Sequence, residues 1–156
     1  MTYTLSRGDY MSKLGKLLKI ILIICIVIAI PLVIVLPFIL KGLIFSKVIV
    51  YPNSLVMLLI AIQFTKLFKS IEEDNPFTLK NTKILKNASI YSFVMSVLWF
   101  IDSIYLLFIK SCSHIDYYIV IIFFTILFFG VGTALYILSK LFEKATNYKE
   151  ENDLTI

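Results

Sequence analysis

The run IILIICIVIAIPLVIVLPFIL, residues 20–40, holds 21 residues without a charge. About 20 residues rising about 1.5 Å each cross the hydrocarbon core of a bilayer. A chain that carries such a run is constrained first by lipid, not by water. Three more apolar runs follow, at residues 54–68, 88–109 and 117–141, and Asp102 is the one acid within them. Backbone polar groups in lipid must bond internally, which leaves helices or closed barrels. The runs are continuously apolar and do not alternate, so they read as helices. The expectation is an all-α polytopic membrane protein with four transmembrane helices in a single domain, residues 1–156. Composition agrees. Hydrophobic residues make up 60% of the chain, where soluble domains hold about 45–50% by a broader count.

Each run carries its own signals. Lys13, Lys16 and Lys19 precede the first, as in a signal peptide. Its apolar stretch is longer than a signal core, and no small-residue cleavage site follows, so it is expected to stay as a span. Pro31 and Pro37 are expected to kink it. The second run is short, and Lys66 and Lys69 at its end reach toward the headgroups. Asn53 or Ser54 is the expected N-cap of that helix. The preceding KGLIFSKVIVYP, residues 41–52, reads as an extended or interfacial loop. Tyr51, Tyr117 and Tyr118 read as interfacial anchors. The last stretch, residues 142–156, is polar and is expected to leave the membrane as a frayed helix.

Lysine bias sets the orientation. With the N-terminus inside, Arg7, Lys13, Lys16, Lys19, Lys66, Lys69, Lys80, Lys83, Lys86, Lys140, Lys144 and Lys149 fall on the inner side. Lys41, Lys47 and Lys110 fall outside, so the ratio is twelve to three. Both termini and the hairpin of residues 69–87 are therefore expected in the cytoplasm. The net charge of +5 then points to anionic headgroups, not to direct nucleic-acid binding.

The hairpin is the longest polar passage before the tail. Pro76 disfavours helix at Asn75 and ends the second helix. Thr78 is a good N-cap for the third. Lys80, Lys83 and Lys86 recur every three residues and form a basic stripe, while Glu72, Glu73 and Asp74 sit at the tip. A charged turn between two membrane helices accounts for most of this pattern.

Asn75, Pro76 and Phe77 lead into Asn81 and Leu85, and the chain closes on Asp153, Leu154, Thr155 and Ile156. In order and position these motifs resemble the four-helix bacterial membrane proteins of domain-of-unknown-function family 2975. The resemblance covers nearly the whole chain. The family's hairpin usually carries arginines where this chain has only lysines, which keeps the charge but not the bidentate donor geometry. The resemblance implies a bacterial plasma-membrane protein with no enzymatic activity, catalytic residue or cofactor. Genes of the family commonly lie beside one for a small helix-turn-helix regulator. By association, the cytoplasmic face is expected to hold such a DNA-binding partner. The candidate contacts are Asn75, Pro76, Phe77, Leu79, Asn81 and Asp153.

The remaining chemistry is sparse. Asp102 lies about 5 Å outward of the midpoint of its segment, at about 1.5 Å per residue. A carboxylate there faces the bundle or a water-filled cleft. Two readings stand: an ion, proton or small-ligand site, or an acid hydrated from outside or paired with Lys41, Lys47, Lys110 or His114. Cys112, His114 and Asp116 are close in sequence but lack the spacing of a zinc site. Two cysteines, Cys25 and Cys112, make no disulfide framework. Gly130 and Ala134 form a small-xxx-small pair, with Gly132 between, expected to pack within the chain rather than at a dimer face. No phosphate loop, nucleophile–base pair or zincin motif is present. The expected function is a non-enzymatic membrane regulator or interaction protein. The alternative is a small transporter, channel or immunity-type protein that uses Asp102.

Overall fold

A computed structural model describes residues 7–39, 44–73, 77–109 and 115–153. They form four helices: α1 (Arg7–Ile39), α2 (Ile44–Glu72), α3 (Leu79–Ile109) and α4 (Ile115–Asp153). All four are long and apolar enough to cross a membrane. The Asn75–Pro76 turn, Cys112, His114 and the terminal Leu154–Ile156 lie outside the described residues.

Consecutive helices run antiparallel. Gly15 near the start of α1 meets Glu72 at the end of α2. Ser70 of α2 bonds Asn81 at the start of α3. Phe77, just before α3, packs on Phe142 in the last third of α4. The described ends of α1 and α4 therefore lie at one end of the molecule, together with most of the lysines. Among the described residues, α1 packs on α2 alone and α4 on α3 alone, with α3 also against α2. The helices thus form an open array, not a closed bundle.

The expected loop over residues 41–52 is corrected for its described part. The helix begins at Ile44 and runs through Pro52. A proline inside a helix forfeits one backbone bond. An irregular loop in apolar surroundings would forfeit several, so the helix is the cheaper state. Asn53 and Ser54 are accordingly helix-interior residues, not N-caps. The Ser54 hydroxyl donates to the Val50 carbonyl at 2.6 Å. α1 likewise continues as helix through Pro31 and Pro37. The tail is helical over its described part. α4 stays helical to Asp153, with Thr146 buried.

The core sits along α3. Two apolar clusters flank it: Leu67, Ile84, Leu85, Ala88 and Leu135 toward one end, and Val56, Ile60 and Met95 toward the other. Between and beyond them α3 presents Ser89, Ser92, Ser96 and Ser103, all buried. Small side chains let membrane helices approach closely where no hydrophobic force drives them together. The Ser96 hydroxyl spends its proton across the interface, on the Thr125 carbonyl of α4 at 2.9 Å. Ring pairs Trp99–Phe124, at 5.0 Å, and Phe93–Phe129, at 5.6 Å, extend the same seam.

The small-residue expectation on α4 is corrected. Gly130 has nothing within 4 Å of where a Cβ would stand, and Ala134 is exposed. Gly132, between them, is the packed glycine. A Cβ there would meet the Phe93 ring at 3.0 Å. Gly130→Ala is expected to raise stability by up to about 1 kcal/mol through helix propensity. Gly132→Val is expected to lower it by about 1–3 kcal/mol through overpacking. Thermal denaturation of the two variants in one detergent measures the contrast.

Candidate functional site

The lysine-rich end is built around the entry to α3. Thr78 caps the helix: its Oγ1 accepts the backbone N–H of Asn81 at 3.2 Å, and its carbonyl accepts those of Asn81 and Thr82 at 3.0 and 3.1 Å. Such a cap satisfies donors that the first turn leaves open.

Asn81 is not a surface contact, which corrects its place among the candidate partner residues. It is 0% exposed. Its Nδ2 donates to Ser70 Oγ on α2 at 2.7 Å. A buried amide must find such partners, so Asn81 clamps the α2–α3 hairpin shut. Leu85, one turn on, is 1% exposed and anchors the cluster beside it.

Phe77 and Leu79 are different. They are 45% and 54% exposed. Phe77 keeps one face on Phe142, with ring centroids 5.1 Å apart, and leaves the rest free. Lys80, Lys83 and Lys86 are all exposed nearby. α4 extends past Leu141 as a charged helix that carries Glu150 and Glu151, both exposed, and ends at Asp153. Lys140 donates to Glu143 at 2.8 Å on the same stretch. This end therefore offers two large apolar side chains near a basic stripe, and an α4 extension that carries Lys144 and Lys149 as well as Glu150 and Glu151.

The hairpin acids do not all project from the tip. Lys19 of α1 donates to Glu72 at 3.0 Å, with both side chains partly buried. Glu73 pairs with Lys69 one turn back at 3.8 Å. The sequence placed Lys19 and Glu72 on the same side of the membrane. Their direct pairing follows from the close approach of α1 at Gly15, which has no signature beyond the glycine itself.

At the opposite end stands the second candidate. Asp102 accepts a hydrogen bond from Asn53 Nδ2 at 2.9 Å, joining α2 to α3. Asn53 is buried. The side chains of Lys41, Lys47, Lys110 and His114, its expected partners, lie outside the described residues. Asn53 was legible only as a helix cap because Pro52 read as a boundary. Once the helix continues through Pro52, Asn53 falls on the face toward α3.

Asn53 also belongs to the wall of a large apolar groove of about 660 Å³. α1 supplies Ile26 and Ala29, α2 supplies Met57, α3 supplies Trp99, and α4 supplies Phe124 and Phe128. The open array explains it. α1 reaches only α2, so the space between α1 and the α3–α4 pair stays unfilled. Sequence reading missed this groove and the serine seam alike. The 3–4–7 spacing of the α3 serines was a signal for the seam; the groove had none.

A family model described as "Protein of unknown function (DUF2975)" matches residues 43–156, well over half of the chain. No curated protein and no solved structure matches.

Proposed function

The chain belongs to the DUF2975 family of proteins of unknown function, and from that premise we propose that it is a non-enzymatic, multi-pass membrane protein that holds a cytoplasmic protein partner. The partner class is a small helix-turn-helix DNA-binding regulator, and the membrane is the bacterial plasma membrane. The observation that carries this reading is the exposed pair Phe77 and Leu79 beside the charged extension of α4.

The lengths support it. α4 has 39 residues, about 58 Å at about 1.5 Å per residue, against about 30 Å of hydrocarbon. The excess is charged and belongs outside the lipid. Lysine bias assigns that end to the cytoplasm. An apolar pair ringed by charge fits the usual interface plan, where a few large side chains carry affinity and the rim sets orientation. The acidic end of α4 suits the basic surface of a DNA-binding protein.

The test is cross-linking in native membranes followed by affinity capture of the tagged chain. The comparison is the native chain against one carrying Phe77→Asp and Leu79→Asp. A DNA-binding regulator captured by the native chain should fall at least about tenfold with the double variant, as loss of a hot spot implies. The variant should insert normally, since neither side chain is in the core. Equal capture by both chains overturns the proposal.

A further inference from the structure

α1 is the least attached helix of the array. Among its described residues only Gly15 is buried, and Gly15 precedes the apolar run. α1 touches α2 but neither α3 nor α4. The groove of about 660 Å³ lies where that contact is missing. On α1 its wall runs from Leu22 to Ile34, about 18 Å at about 1.5 Å per residue. All of that wall falls inside the charge-free run of residues 20–40, so the groove lies at the depth of the hydrocarbon.

The occupant has to match the walls, which are aliphatic and aromatic nearly throughout. Their polar groups are already engaged. The Ser54 hydroxyl donates to the Val50 carbonyl at 2.6 Å, and Asn53 Nδ2 donates to Asp102 at 2.9 Å. The walls thus hold out little to a polar ligand. Water does not settle where polar partners are few, and an empty groove forfeits the contacts of its wall atoms. A second helix does not fit within it. A helix with its side chains is about 10–12 Å wide, which over about 18 Å comes to about 1,400 Å³ or more. The groove holds about 660 Å³. α1 is fixed on α2 by the Gly15 contact and the Lys19–Glu72 pair, so it does not swing across to close the space. The open side between α1 and α4 meets the bilayer, where the molecules at hand are thin, flexible acyl chains.

We propose that the groove is a binding slot for the acyl chains of a bilayer phospholipid, which complete the packing between α1 and the α3–α4 pair. The slot is separate from the lysine-rich end and does not depend on the partner proposed there.

The chain contains a single tryptophan, and Trp99 stands in the groove wall, so its emission reports the occupant. The full chain is placed in nanodiscs of phosphatidylcholine, with or without bromine on the acyl chains. Bromine quenches tryptophan on close contact. Trp99 emission should fall by about half or more in the brominated discs, because a chain in the slot lies within contact range of the ring. Ala29→Phe fills the slot from α1 and should cut that loss by about twofold or more, since the added ring takes the space of the chain. Ile126→Phe adds a ring at an exposed position of α4 outside the groove and should leave the loss unchanged. A second readout needs no variant. The delipidated native chain in detergent should gain about 5–10 °C in apparent Tm at saturating phosphatidylcholine. Unquenched Trp99 in brominated discs, equal quenching with Ala29→Phe, or a Tm that does not respond to lipid overturns the proposal. So does a stable pair of chains that shields Trp99 from the brominated lipid, since a second copy then holds the slot.

Discussion

Gly15→Leu is expected to detach the start of α1 from the end of α2. A Cβ at residue 15 would stand 2.7 Å from the backbone nitrogen of Glu72 and 3.1 Å from its Cα. The obstacle is backbone, which cannot turn aside as a side chain can. Overpacking of this kind costs about 1–3 kcal/mol where neighbours relax, and here the relaxation is separation of two helices. Separation also breaks the Lys19–Glu72 pair at 3.0 Å. Both side chains are partly exposed, so that loss adds under about 1 kcal/mol. The apparent Tm in detergent should fall by about 5–10 °C. A double-mutant cycle at Lys19 and Glu72 should show coupling in the native chain and none in the Gly15→Leu background. A Tm change within about 2 °C, with the coupling intact, would mean that α1 does not sit on α2 at this point.

Asn81→Leu is expected to open the α2–α3 hairpin. Leucine is close to asparagine in size but supplies no donor to Ser70, whose hydroxyl Asn81 now meets at 2.7 Å. Loss of this part-buried hydrogen bond costs about 0.5–1.5 kcal/mol. Ser70→Ala should cost less, and the double variant less than the sum of the singles. Hydrogen exchange of the first turn of α3 should accelerate, because the Thr78 cap holds that turn only while the hairpin is closed. This result separates two roles at the same end. Asn81→Leu should lower stability and, through it, any partner capture. Phe77→Asp with Leu79→Asp should lower capture while stability stays close to native. If Asn81→Leu leaves both stability and exchange unchanged, the hairpin is held by something other than this clamp.

The two α4 glycines show how far sequence reading goes. Small residues at Gly130 and Ala134 announce a surface that permits close approach, but not which neighbour uses it. Rotation of α4 about its axis points Gly132 at Phe93 and leaves Gly130 open. Asn81 shows the same limit. Its polar character and its place near a turn read equally as a docking contact or a buried clamp. Burial separates the two, and burial is a property of the partner helix.

What the sequence determined by itself was the solvent and the connectivity. Long charge-free runs demand helices in lipid, because no other local structure satisfies their backbone there. Lysine spacing and the Thr78 cap fixed where α3 begins. These features are local, each readable within a few turns of chain. Tertiary structure alone decided what faces what. It carried α2 through Pro52, brought Asn53 to Asp102, seated Gly15 on Glu72 and left a groove between α1 and the α3–α4 pair. The reason is physical. In a membrane almost every surface of these helices is apolar, so the pattern of apolar residues cannot point to the core as it does in water. Close fit of small residues and a few polar bonds choose the packing instead, and both depend on residues far apart in the chain.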